Sequence, residues 1–300
     1  MPAGSCKLDM MLYVPQGAPA PHRPPMHPLN ALRNRAVAAA QTKVLLLLDA
    51  DFMVSSSLNE LQHSTWVQTA VSQGVLVVLP ALEPVRSDAA AQQAVARACR
   101  GGKAEALAGL GQGSLQPFHV DRFEPGHSAT NFARWSTSNE TYDVSYSMGF
   151  EPYVLVSKRL VPWYDERFTG YLEDKVVHIQ TMVHMGFTFA VHPSAFVVHY
   201  PHPDSHDQAL VKTTGLMQEA GKSVVWIKGM SELQIQGQGD HARAEMAAGT
   251  YWPPTRFAPC NVPYKTAAST GFVQGCRHEG AEQVSTLCKI AERIKIRTGS

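Results

Sequence analysis

The chain has 300 residues, of which 44% are hydrophobic and 17% are charged, and its formal net charge is +1. This length and apolar fraction suffice for a full hydrophobic core, and the near-neutral charge argues against a basic surface for nucleic acid or an anionic membrane. No apolar run reaches the roughly 18–20 residues of a membrane span, and the five cysteines form no CxxC pair that would indicate a structural zinc site.

The first half of the chain alternates strand-like and helix-like segments. Strands are predicted at 8–14, 43–48 and 74–82, helices at 29–41 and 58–73, and an Ala-rich helical stretch on both sides of Gly101-Gly102. The run KVLLLL is too short for a helix and is predicted to be buried on both faces, as parallel strands are. Further strands are predicted at 152–157, 187–191 and 195–200, with a helix at about 174–185. This order indicates an α/β sheet, followed after about residue 210 by weaker patterning.

Two aspartates directly follow the KVLLLL run, in the sequence LLLLDAD. As strand neighbours at i and i+2, Asp49 and Asp51 would point to the same face, roughly 6.6 Å apart along the strand, which lets both reach one divalent ion. In open α/β sheets, ligands collect at the carboxyl ends of the strands, where this pair lies. The alternative is that Asp49 ends the strand and Asp51 opens a turn, and a lone D-x-D fits either interpretation.

Two further groups of residues carry chemistry that suits the same site. His199 ends a predicted strand, and two carboxylates with an imidazole suit a cation such as Mn²⁺. For His202 and His206 a His-rich surface loop is the favoured interpretation, with a zinc site built from these histidines as an alternative. Glu173 and Asp174 directly precede a helix, where an acidic residue is either an N-cap or a base that removes a proton from a hydroxyl.

Longer stretches resemble glycosyltransferase family 49, and in particular the glucuronyltransferase domain of its LARGE-like members. The likeness covers about residues 28–207 and includes NALRNRAVAAAQTKVLLLLDADFMVS, HSATNFARW and GFEPYVLV, of which the last two are much more specific than D-x-D. The resemblance implies a GT-A-type catalytic domain over residues 1–210, with a mixed, mainly parallel sheet flanked by helices. Because only 48 residues precede D-x-D, much of the usual N-terminal nucleotide-binding unit is expected to be missing. Residues 211–300 are expected to form a C-terminal extension.

The resemblance also implies an activity. It is an inverting, metal-dependent transfer of a sugar, with glucuronate favoured, from a UDP-sugar to a hydroxyl of a glycan or glycoprotein. Mn²⁺, or else Mg²⁺, would be held by Asp49, Asp51 and His199 and would neutralise charge on the departing diphosphate. Asp174, or else Glu173, would be the catalytic base.

Binding roles for the donor and the sugar follow from the same resemblance. Asn30, Arg33 and Asn34 would join Asp49 and Asp51 in holding the donor. Arg33 would pair with diphosphate oxygens, and a solvated helix face is its alternative. His127, Asn131 and Trp135 would line the sugar pocket, since an aromatic face packs on a sugar ring, and a buried core tryptophan is the alternative.

The family resemblance implies residence in the Golgi, although no targeting segment is recognisable in the sequence. Asn139-Glu140-Thr141 is an N-glycosylation triplet, which is consistent with a secretory lumen. The alternative function is that of a catalytically impaired or non-catalytic homologue that binds sugar or metal.

Overall fold

The computed structural model of the protein describes residues 28–61, 63–168, 173–202 and 236–251, together with residue 10 and the strand pair 218–219 and 222–223. The strand predicted at 8–14 lies, apart from residue 10, outside these ranges, and so does His206.

Seven α-helices, two short 3-10 helices (Glu124–Gly126 and Ser128–Thr130) and eleven strands occur in the described part of the chain. The helices are α1 (Leu29–Ala39), α2 (Leu58–Leu61), α3 (Thr65–Ser72), α4 (Ala89–Gly111), α5 (Phe132–Thr137), α6 (Asp174–His184) and α7 (Gln236–Ala247). The strands are β1 (Val44–Leu47), β2 (Phe52–Val54), β3 (Val75–Leu79), β4 (Ala81–Pro84), β5 (Leu115–Pro117), β6 (Tyr142–Val144), β7 (Tyr153–Ser157), β8 (Thr188–Val191), β9 (Val197–His199), β10 (Gln218–Glu219) and β11 (Lys222–Ser223). None of the helices described is long and apolar enough to cross a bilayer.

The larger strands form two mixed sheets, with the orders β1-β7-β3-β8-β6 and β2-β9-β4-β5. The pairs β3–β8 and β4–β9 are parallel, and the other neighbours in these two sheets are antiparallel. The predicted mixed α/β fold is therefore confirmed, but antiparallel pairs outnumber parallel ones. The reason is that β7 runs between β1 and β3 in the opposite direction and separates them.

Two predicted strands differ in detail from the structure. The run KVLLLL forms β1, but its pairing with β7 is antiparallel and only Leu45 is buried, so the prediction of burial on both faces was wrong. Among the described strands, β1 lies at the edge of its sheet, which leaves its other residues half-exposed. The strand predicted at 74–82 is divided at Pro80, which has no N–H for a ladder, and its two halves enter different sheets.

The central strands of the first sheet are buried on both faces. Successive side chains of a strand point to opposite faces, and Leu76 and Val78 of β3 join one apolar cluster while Val77 and Leu79 join another. The first cluster includes residues of α4, and the second includes residues of α3. The predicted helical stretch around Gly101-Gly102 is α4, in which Gly102 has a φ of 71° and interrupts the helical backbone.

Candidate active site

The D-A-D segment is a turn that carries the chain from the first sheet to the second. Asp49 follows the end of β1, Ala50 and Asp51 form the turn, and the N–H of Phe52 donates to the carbonyl of Asp49 at 3.3 Å. Because β1 and β2 belong to different sheets, the two aspartates are not neighbours on one strand. The backbone therefore follows the alternative interpretation, in which Asp49 ends the strand and Asp51 opens a turn.

Asp51 lies beside two histidines at the carboxyl end of β9. Phe52 of β2 pairs with His199 of β9, and the N–H of Tyr200 donates to the carbonyl of Asp51 at 2.7 Å. The Nε2 atom of His202 lies 3.0 Å from Asp51 Oδ2, and that of His199 lies 3.5 Å from the same oxygen. Ligand atoms of the three residues all lie within 4.8 Å of one another. We call Asp51, His199 and His202 the Asp51 triad.

The donor set of the Asp51 triad fits a divalent cation. A carboxylate suits Mn²⁺ and Mg²⁺, and imidazole suits borderline transition metals. The Oδ1 atom of Asp51 is buried and has no hydrogen-bond partner among the described residues, so this oxygen is available as a ligand. Burial alone would raise the pKa of Asp51, but hydrogen bonds from His199 and His202 lower it to about 2, which favours the charged form. His202 was predicted as a surface residue, and its short spacing from His199 was the one signal of this contact.

Asp49 contacts a different set of side chains. Its Oδ2 accepts from Lys175 Nζ at 2.7 Å and from the Tyr153 hydroxyl at 3.0 Å, and its Oδ1 lies 3.5 Å from Arg33. Burial would raise the pKa of Asp49, but the positive charges of Lys175 and Arg33 lower it. Asp49 is thus outside the Asp51 triad, and its sharing of an ion with Asp51 stays a prediction.

Lys175 is a central cation of the site that sequence reasoning missed. Burial alone would lower its pKa, but Glu151, Tyr153 and Asp49 raise it well above the ordinary value, so the ammonium stays charged. Its sequence signal was weak, because a lysine in the first turn of a helix is most often solvated.

Arg33 joins the D-x-D turn to the start of α6. Its guanidinium is hydrogen-bonded to the carboxylate of Asp174 as well as lying beside Asp49. The side chain is 24% exposed, so it is not on a solvated helix face. Asp174 is buried as the first residue of α6. The structure therefore brings Arg33, Asp49, Asp174 and Lys175 together.

Glu173 is directed away from this group. It has a φ of 55° and makes no side-chain cap at the start of α6. Its carboxylate accepts instead from Arg243 of α7 at 3.0 Å.

The two asparagines predicted to hold the donor bind protein backbone. Asn30 Nδ2 donates to the carbonyl of Asp165 at 2.8 Å. Asn34 donates to the carbonyl of Tyr164 at 2.9 Å and accepts from its N–H at 2.7 Å. Both side chains are fully buried, and they join α1 to the loop that follows β7.

The three residues predicted for the sugar pocket have separate environments. His127 is buried beside Tyr153, with ring centroids 5.8 Å apart, and burial with the nearby Lys175 lowers its pKa to about 3. Asn131 is exposed and caps α5 by accepting from the N–H of Arg134 at 3.0 Å. Trp135 has no exposed surface and is part of the core, so its predicted place in a sugar pocket is corrected to the alternative, a buried tryptophan.

A cavity of about 290 Å³ opens beside this charged group, between α1, β1 and α6. Apolar side chains of α1 and β1 line most of it, and Arg33, Asp49 and Lys175 line its polar part. His178 also lines the cavity and stacks on Tyr164 at a centroid distance of 3.6 Å. Neither ring nitrogen of His178 has a hydrogen-bond partner in the part of the chain that the structure describes.

Comparison with known proteins identifies the chain's relatives. Over 182 residues it is 34% identical to xylosyl- and glucuronyltransferase LARGE1 of Mus musculus, and over 185 residues it is 35% identical to LARGE2 of the same organism. The alignments cover 60% and 61% of this chain but 23% and 26% of the relatives, so the chain spans about a quarter of the length of the curated relatives it matches. Residues 15–214 match the glycosyltransferase family 49 model, described as glycosyl-transferase for dystroglycan. Since this match covers more than half of the chain, the protein belongs to glycosyltransferase family 49.

Proposed function

We propose that the protein transfers a sugar from a UDP-sugar to a hydroxyl group of a glycan or glycoprotein, with inversion at the anomeric carbon. The observation that supports this most directly is the position of Arg33, which bridges Asp49 of the D-x-D turn and Asp174 of α6. The positive charges that would bind a diphosphate therefore lie beside the carboxylate that would accept a proton from a hydroxyl. Glucuronate is the leading donor sugar because the relatives are named glucuronyltransferases.

Asp174 is the proposed base. The proton of the acceptor hydroxyl moves to the Asp174 carboxylate while the hydroxyl oxygen bonds to the anomeric carbon. The bond from that carbon to the UDP oxygen breaks, and UDP keeps the electron pair. Asp174 is preferred over Glu173 because Asp174 lies in the charged group around Arg33, whereas Glu173 is directed toward α7.

Arg33 and Lys175 are the protein's own cations for the departing diphosphate. Both form ion pairs with the carboxylate of Asp49, and both line the polar part of the cavity. Fixed positive charge acts where negative charge develops in the transition state, which is commonly the largest catalytic contribution.

Asp51 and His199 would hold Mn²⁺ or Mg²⁺, with His202 as a further ligand and Asp49 as the remaining predicted one. When bound, the ion would add positive charge that stabilises the leaving diphosphate. The fit rests on the converging atoms of the Asp51 triad and on the unpartnered Oδ1 of Asp51.

A second candidate function is binding of sugar or metal without transfer. It is favoured by the environment of Asp49, whose carboxylate is already paired with Lys175 and Arg33. For either function we propose, from the likeness to the family, that the protein resides in the Golgi. Microscopy of the tagged chain would check this location.

The decisive experiment measures UDP release and glycan transfer by the purified chain with a panel of UDP-sugars, in Mn²⁺, in Mg²⁺ and in EDTA. We expect metal-dependent UDP release that falls at least about 100-fold in Asp51→Asn. The control is Asp143→Asn, an exposed aspartate on β6, which should leave activity unchanged. Titration of the protein with Mn²⁺ by calorimetry should show weaker binding in Asp51→Asn but not in Asp143→Asn.

Two results would contradict the proposal. UDP-sugar binding without UDP release in any metal would support the binding homologue instead. Full activity and full Mn²⁺ affinity in Asp51→Asn would remove Asp51 from the metal site.

A further inference from the structure

Helix α7 lies beyond residues 15–214, which match the family, yet it packs against the start of α6. One apolar cluster joins the two regions. Its members are buried side chains from both sides of the contact: Phe168, Val177, Ala242, Met246 and Tyr251. A segment outside the family match therefore shares a core with the helix that begins at Asp174.

Polar contacts attach α7 to residues that precede this helix start. Arg243 Nη1 donates to Glu173 at 3.0 Å, directly before Asp174. Arg167 donates to Glu245 of α7 at 3.1 Å. At Gly239 an added Cβ would lie 1.6 Å from the Glu173 carboxylate, so a side chain at this position would displace that carboxylate.

A chain of hydrogen bonds leads from the end of this segment to the charged group. The Tyr251 hydroxyl donates to Asp165 Oδ2 at 3.1 Å, and Asn30 donates to the Asp165 carbonyl at 2.8 Å. Arg33 donates to Asn30 Oδ1 at 2.9 Å and also to Asp174. Each neighbour in this chain orients the next, from Tyr251 to the proposed base.

The backbone at Glu173 needs such support. Its φ of 55° lies in the left-handed region, which is costly for residues other than glycine and persists only when surrounding contacts hold it. Among the described residues, Arg243 and Gly239 contact the side chain of Glu173, and the N–H of Val177 donates to its carbonyl.

We infer that α7 and Tyr251 form a positioning clamp, which holds the start of α6 and thereby sets the positions of Asp174 and Arg33. Its effect on catalysis rests on the proposed function, whereas the clamp itself is tested without activity. The clamp residues do not touch the reacting atoms. They act through Glu173 and Asp165, and a displacement of about 1 Å at a reacting group can cost about 100-fold in rate.

Hydrogen–deuterium exchange of the full chain tests the clamp. The N–H of Val177 donates to the Glu173 carbonyl at 2.8 Å, so its exchange reports on the first turn of α6. We expect at least about tenfold faster exchange at Val177 in Arg243→Met, because this turn then opens more often, and recovery in Arg243→Lys. The matched control is Arg86→Met, which removes another arginine–carboxylate pair, with Asp88 before α4. Unchanged exchange at Val177 in Arg243→Met would overturn the clamp.

Steady-state kinetics test the effect of the clamp on catalysis. In Arg243→Met and in Tyr251→Phe, kcat should fall at least about tenfold while the KM for the donor changes less than about twofold. Arg86→Met should behave as wild type. Faster exchange at Val177 with an unchanged kcat would overturn the positioning of the base. A wild-type chain that releases no UDP would refute the proposed function, and exchange at Val177 would still decide the clamp.

Discussion

Trp135 and Phe196 meet edge to face in the core, with ring centroids 5.8 Å apart. Both side chains are fully buried, and the indole N–H of Trp135 has no hydrogen-bond partner in the described ranges. A buried indole offers no face to a sugar ring, so its contribution is to stability. His127 differs, because its buried imidazole lies near Tyr153 and Lys175 of the candidate site.

Substituting Trp135 with Phe should lower the free energy of unfolding by about 1–3 kcal/mol and leave substrate KM values unchanged, because the change removes core volume only. Urea denaturation and steady-state kinetics measure the two effects. Trp66→Phe, at a side chain that is 41% exposed, is the control and should change stability by less than about 0.5 kcal/mol. A severalfold rise in KM without loss of stability would show that Trp135 contributes to sugar binding.

Helix α1 is attached to the rest of the molecule by hydrogen bonds more than by apolar burial. Its only fully buried residues are Asn30 and Asn34, and Pro28 before it provides no side-chain cap. The two amides hold the loop at residues 164–166, while Arg33 between them faces the site. The position of Arg33 therefore depends on this polar contact between α1 and the loop.

Asn34→Ala tests how much this polar contact between α1 and the loop stabilises the fold. The change leaves the N–H and the carbonyl of Tyr164 without their partner, and an unsatisfied buried group costs about 1–3 kcal/mol. We expect the free energy of unfolding to fall by about 2–3 kcal/mol in chemical denaturation. Asn139→Ala, at an exposed position, should have little effect. Equal stability of the two variants would contradict a stabilising contact between Asn34 and the loop at Tyr164.

At the scale of the whole molecule, burial favours the neutral form of four histidines in the described part of the chain. Burial lowers the pKa of His127 and of His178 to about 3, with a smaller contribution from Lys175 at His127 and from Arg33 at His178. Burial likewise lowers the pKa of His119 and of His192 to about 4. Unfolding exposes each ring to water and returns its pKa to about 6.5. Acid therefore favours the unfolded chain.

Between pH 6.5 and 4.5 the unfolded chain binds protons that the folded chain does not, so the free energy of unfolding should fall as pH falls. Each fully buried histidine contributes up to about 1.4 kcal/mol per pH unit. Urea midpoints at several pH values measure the slope. His178→Phe should reduce it by about that amount, whereas His63→Phe, at an exposed position, should not. A stability independent of pH over this range would show that these rings titrate normally.

Elements that depend on neighbouring residues were predictable from the amino-acid sequence. Apolar runs and turn residues predicted β1, β7, β8 and α6 near their observed positions, and the glycine pair marked the irregular backbone of α4. The longer family-specific stretches predicted the family that the comparisons confirmed. These signals are local, because strand and helix periodicity act over a few residues.

Which side chains contact one another depends on the tertiary structure. Asp49 and Asp51 are two residues apart, yet one contacts Lys175 and the other contacts His199 and His202, because the turn between them joins two sheets. The direction of β7 and the contact of α7 with Glu173 were equally absent from the local pattern. Such contacts join residues up to 151 positions apart, and they form only when the packed core brings distant elements to one edge.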